Sequence, residues 1–108
     1  MIADAITRSA RGEQCTLRIA EVCNGNPETV VLAHANGSAA GKGIGMKSLS
    51  ILGAYACSAC HDVVDRRTFV DRNGRRLEEG EAEIAFWHGH ARTLRKLVEN
   101  GLVTCAGE

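Results

Sequence analysis

Cys57-Ser58-Ala59-Cys60-His61 places two thiols and an imidazole within five residues. Thiols separated by two residues can bind one tetrahedral metal, because the turn between them carries both sulfurs to the same side. One such pair fills half a site, and Cys15 and Cys23 are the natural source of the other half. Four thiolates would neutralise and saturate Zn²⁺, which closes the site and makes it structural rather than catalytic. Seven residues separate Cys15 from Cys23, more than the two to four of a compact knuckle, so the loop there must be larger. The rival reading is four cysteines buried as small apolar groups. A redox role for Cys57 and Cys60 lacks the βαβ context of a thioredoxin-like motif. Cys105 has no partner and reads as a bystander.

Once four thiols are given to zinc, His34 and His61 remain for other chemistry. A strand histidine outside a metal's shell can act as general base on water, and a helix histidine nearby can hold a divalent cation against a phosphate. If the two face each other, that is the logic of phosphodiester hydrolysis. Taken singly, His34 reads as a half-buried strand residue and His61 as a neighbour of a zinc ligand.

The elements that must place these groups follow from periodicity. Residues 1–14 form an approach segment with Ile2, Ala5 and Ile6 on one helical face. Cys15–Ile19 alternates as a strand, Asn24-Gly25-Asn26-Pro27 marks a turn, and Thr29–His34 reads as a second strand with Val30, Leu32 and His34 on one face. Asn36–Ser50 is glycine-rich and reads as a surface loop, with Lys42 and Lys47 as weak phosphate candidates. The apolar run Ile51–Ala56 enters Cys57, where a helix capped by Ser58 is expected to reach about Arg67. Asn73-Gly74 marks a tight turn, and Ile84, Trp87, Ala91, Leu94, Leu97 and Val98 define a core helix from Glu79 or Glu81 to a stop at Gly101. Zinc-binding cysteines on a turn-rich segment and at a helix start, in that order, describe a treble clef: an α+β fold, ββα, with an additional C-terminal helix.

The 108 residues suit one domain (1–108), with a core over 11–67 and a packing helix over 79–101. Apolar residues make up 44% and aromatic ones 4%, so the core is modest and a structural metal would help it. Thirteen basic and thirteen acidic side chains cancel, which excludes a global field for nucleic acid and leaves only local patches. The densest patch is Arg66, Arg67, Arg72, Arg75 and Arg76. It reads equally well as a phosphate-contacting surface or as a solvated face with internal ion pairs. His88 and His90 point in different directions on a helix and read as packing or surface residues. No segment has signal-peptide or membrane-spanning character, and five cysteines are more readily explained by metal than by disulfides in a reducing compartment, so a cytoplasmic location is expected.

Cys15 and Cys23, Leu32-Ala33-His34 and Ala56-Cys57-Ser58-Ala59-Cys60-His61 resemble the HNH, or His-Me finger, nucleases with a zinc-stabilised ββα fold, over residues 11–67. Arg11-Gly12, Val22–Thr29 and Asp65-Arg66-Arg67 narrow the resemblance to the small nucleases of lambdoid prophages. The resemblance implies structural Zn²⁺ on Cys15, Cys23, Cys57 and Cys60. It also implies His34 as general base, His61 holding a catalytic Mg²⁺ or Mn²⁺, and DNA, less often RNA, as substrate. Two positions depart from the pattern: Ala33 stands where many HNH enzymes have an acidic residue or histidine, and no asparagine precedes Cys57, where Ser48 and Ser50 are the nearest polar residues. These departures keep a non-catalytic zinc module, binding nucleic acid or protein, as the rival. Whether the long helix makes a homodimer or leaves a monomer is not decided by its pattern.

Overall fold

Among the described residues, two three-residue strands and three α-helices, with short 3₁₀ turns, make up the regular structure, a small α+β arrangement. The structure, a computed structural model, describes residues 4–35 and 49–104. In chain order the elements are α1 (Ala5–Ser9), β1 (Val31–Ala33), β2 (Ala54–Ala56), α2 (Ser58–Val64) and α3 (Glu79–Glu99). β1 and β2 are antiparallel, with Val31 opposite Ala56 and Ala33 opposite Ala54.

The pairing corrects the expected hairpin. Cys15–Ile19 is not a strand: Arg18 sits at φ 51, which breaks extended geometry, and Glu21 follows at φ 60. The apolar run before Cys57 supplies β1's partner instead. β1 is also shorter than Thr29–His34, because Pro27–Thr29 closes a 3₁₀ turn capped by Asn26. Val30 and Leu32 are buried on the expected face, whereas His34 lies just past the strand and is exposed. The glycine-rich loop falls over residues 36–48, outside those described, as do Lys42, Lys47, Asn36, Ser48, Ile2 and Cys105.

α2 begins one residue earlier in its cap than expected: Cys57, not Ser58, is the N-cap, its sulfur accepting the Cys60 amide at 3.4 Å. It ends at Val64 rather than near Arg67, which turns back to bond Asp62 and Asp65. α3 matches its predicted span closely. Glu78 and Glu81 form a reciprocal capping box, which satisfies two N–H groups that an uncapped helix start leaves open. Gly101, at φ +76, follows its end.

α3 is the platform under the sheet. Thr93, fully buried, accepts from the Tyr55 amide at 2.9 Å and shares a 2.9 Å hydrogen bond with Thr16, whose hydroxyl donates to the Tyr55 carbonyl. A buried hydroxyl left without such partners costs about 1–3 kcal/mol, so this three-residue network fixes where β2 lies on the helix. Gly89 permits the contact, since a Cβ there would lie 2.7 Å from Leu17 Cδ1. His90, expected as an ordinary packing residue, bonds the Gly53 carbonyl through Nδ1 at 2.9 Å and stands edge-on to Trp87. Tyr55 OH and Ser9 Oγ, 2.6 Å apart, tie α1 to the same strand.

Candidate metal centre and catalytic edge

The four thiols converge. The sulfurs of Cys15, Cys23, Cys57 and Cys60 all lie within 4.8 Å of one another, with Cys57 and Cys23 3.9 Å apart. A Zn–S bond of about 2.3 Å puts tetrahedral sulfurs about 3.8 Å apart, so the cluster has the span of one zinc ion. None of the four is in a disulfide.

Local backbone geometry explains why sulfurs this close are tolerated. The left-handed turn at Arg18 directs the amides of Arg18 and Leu17 at the Cys15 sulfur, the Gly25 amide reaches Cys23, and the Ile19 amide reaches Cys60. Gly25, at φ +66, is the residue type that makes its turn without strain. N–H donors favour thiolate over thiol. The Cys15 thiol is held far below its usual range, first by the hydrogen bond from Cys60 and then by these amides, while Cys60 is pushed up as the donor of that bond and by burial. Burial also raises Cys23. A dication bound among the four sulfurs would displace the thiol protons. Donor chemistry, span and amide support all fit a tetrathiolate metal such as zinc.

The second half of the cluster is held to the first by the chain between them. Asn24 Oδ1 accepts the Asn26 amide at 2.8 Å, and Asn26 Oδ1 accepts that of Glu28 at 3.0 Å. The Thr29 hydroxyl then takes the Ser58 amide at 3.2 Å at the start of α2. Arg72 donates to the Cys23 carbonyl at 3.2 Å and bonds Glu21 through its amide, which binds the 70–76 turn to the knuckle loop.

The histidines are set differently. His34, exposed after β1, has Asp4 as an electrostatic neighbour. Asp4 caps α1 by accepting the Thr7 amide at 2.8 Å, and it accepts the Ser50 hydroxyl at 2.8 Å. His61 is half-buried one turn into α2, its Nε2 3.0 Å from Asp65 Oδ2. That contact occupies one of the two ring nitrogens and fixes the ring's orientation. Among the described residues, no hydrogen bond or ring contact joins the two imidazoles.

The arginine cluster is largely self-neutralised. Arg67 pairs with Asp62 at 3.0 Å and Asp65 at 2.8 Å, Arg75 with Glu81 at 2.8 Å, Arg76 with Glu78 at 3.3 Å and Arg72 with Glu21 at 3.8 Å. Arg66 lies over Phe69 and donates to the Leu77 carbonyl. Glu81 and Arg75 reinforce each other: their hydrogen bond lowers the carboxyl and raises the guanidinium.

Residues 4–102 match the family described as "Putative nuclease YbcO". A protein of that description from Escherichia coli K12 is 42% identical over 99 residues, covering 91% of this chain and 95% of its own. The same figures hold for a protein of Enterobacteria phage 82. The chain belongs to the YbcO family. A solved structure, described as that of a putative bacteriophage protein from Escherichia coli K-12, superposes with TM-score 0.70 at 39% identity. It covers 88% of this chain and 98% of that one. The YbcO match spans the knuckle loop, both strands, α2 and α3, so every side chain of the site lies inside it.

Two site residues escape a reading of the sequence. Asp65 stands four residues after His61, a spacing at which side chains on a helix meet, and that signal was open to view. Asp4 was not: thirty positions separate it from His34, and only the packing of α1 on β1 brings them near.

Proposed function

We propose that this YbcO-family protein is a metal-dependent endonuclease of HNH type, cutting phosphodiester bonds in DNA on a zinc-stabilised treble-clef scaffold. The observation that carries the reading is the order of the site along the chain. A histidine directly follows β1, β2 leads into a Cys-x-x-Cys helix start, and the next residue is His61, all within the family described as "Putative nuclease YbcO".

In this reading His34, exposed at a strand end, takes the proton from the attacking water. His61 presents Nδ1 while Asp65 fixes its ring. A divalent ion held there would supply positive charge to the scissile phosphate and the leaving oxygen. Zinc on the four thiolates would keep the start of α2 in place. The arginine ion pairs are exposed and therefore weak, so phosphates can compete for Arg67, Arg75 and Arg76.

A second reading, a zinc module that binds without cutting, is favoured by Ala33, which is fully buried and has no ligand atom. Incubating purified protein with supercoiled plasmid and Mg²⁺ or Mn²⁺ separates them. Nicking by the wild type and a loss of about 10²–10⁴-fold in His34→Ala, with unchanged melting, is expected for the nuclease. Absence of nicking with either metal favours the binding module, and nicking undiminished in His34→Ala removes the proposed base.

A further inference from the structure

One side of α2 is not used by the catalytic reading. Val63 lies about 200° around the helix from His61, and it lines a groove of about 410 Å³ formed with the 17–20 loop and α3. The floor is aliphatic: Leu17, Ile19, Val63, Leu77 and Ala85. Ile84 lies along the same groove and is 61% exposed, which extends the apolar floor to the surface.

The rim carries guanidinium groups set differently from those of the Arg66–Arg76 run. Arg18 and Arg92 line the groove beside His88, and among the described residues neither arginine has a carboxylate partner. Glu81, the acidic group of the lining, is already taken by Arg75. Arg92 donates from Nη1 to the Thr16 carbonyl at 2.6 Å, so its guanidinium is held in place with its remaining N–H groups available. A pre-ordered guanidinium loses less entropy on binding and pairs a carboxylate bidentately.

From this combination we infer that the groove is a docking site for an acidic, amphipathic segment of another protein, with carboxylates on Arg18 and Arg92 flanking aliphatic side chains on the floor. Charge complementarity names the acidic half of the partner, and the aliphatic floor names the other half. A nucleic-acid strand fits less well, because strand-binding grooves offer aromatic faces for stacking and none of the lining residues is Phe, Tyr or Trp. The volume is that of an ordinary binding pocket. Since the groove and His61 are on different sides of α2, a docked segment leaves the catalytic edge open and recruits rather than blocks.

The test uses the full zinc-loaded protein and a fluorescein-labelled synthetic helix of alternating Glu-Glu and Leu-Leu pairs, with a Lys-for-Glu helix as control. Expected are saturable anisotropy for the acidic helix alone and amide shifts in NMR spectra over Leu17–Ala20 and Ala85–His88. Arg18→Gln and Ile84→Ser should each weaken binding by about tenfold, the usual scale for removing one charge or one anchor at an interface, with melting unchanged. Both side chains are exposed, so folding is preserved. The inference is overturned by no saturation at about 1 mM peptide, by equal binding of the lysine helix, or by affinity indifferent to both substitutions. It is also overturned if a DNA oligonucleotide displaces the peptide from the same amides, or if sedimentation shows that Ile84→Ser dissolves a dimer whose interface is this groove.

Discussion

The thiol cluster and the histidine edge lie on neighbouring elements but are built on opposite principles. Each sulfur of the cluster is buried or half-buried and most receive main-chain amides, so the site is shaped by the backbone. The histidines depend on side chains from elsewhere, Asp65 for His61 and Asp4 near His34, and His34 is exposed. A scaffold metal benefits from a rigid, closed shell, whereas a reacting centre must admit water and substrate. The difference teaches that damage to one region should spread through the fold and damage to the other should stay local.

The largest effect tests the first half of that contrast. Cys60→Ser removes a candidate zinc ligand in a fully buried position at the start of α2. Structural zinc is worth about 10–16 kcal/mol to small zinc-dependent folds, so the variant should lose stoichiometric zinc and its cooperative melting transition together. Elemental analysis and thermal denaturation measure this. A variant that melts like the wild type would mean that the thiols are merely packed.

Asp65→Ala should act on the other region alone. The imidazole of His61 loses its 3.0 Å partner, and if His61 holds the divalent ion as proposed, the loss should cost about 10–100-fold in metal affinity or activity. Zinc content should stay at the wild-type level. Because Asp65 also holds Arg67, the variant Arg67→Ala serves as control and should leave Mn²⁺ affinity unchanged. Loss of zinc in Asp65→Ala would erase the distinction between the regions.

The same contrast explains what the sequence could tell. The cluster was legible because ligand spacing is local: Cys57 and Cys60 sit at a helix start, and only their pairing with Cys15 and Cys23 needed the fold. α3 was legible for the same reason, through its periodicity and the stop at Gly101. The first strand was misread because Cys15–Ile19 has the alternation of a strand but uses its amides on sulfurs, with Arg18 in a left-handed turn. Its replacement, Ala54–Ala56, is buried on every side and therefore shows no alternation. The arginine run was visible as density, yet its neutralisation depends on Glu21 and Glu81, which the turn at 70–76 and the start of α3 bring alongside. The two arginines that line the groove, Arg18 and Arg92, are 74 positions apart and gave no local signal.

The smallest effect concerns the attachment of His34's surroundings. The Asp4 carboxyl is held below the usual range, chiefly by the Thr7 amide and then by the Ser50 hydroxyl, with the nearby His34 side chain adding least. A carboxyl lowered in the folded state stabilises that state above its unfolded value, about 3.9, and the contribution disappears as pH falls through the folded value. Asp4→Asn retains a capping oxygen for Thr7 but removes the titration. Its melting temperature should therefore sit slightly below wild type at neutral pH, and the two curves should converge as pH drops below about 4. Asp4 is fully exposed, so the gap should be small and shrink with salt. A constant gap across that range would show that the α1 cap acts through geometry alone, and that its charge does nothing for the edge where His34 stands.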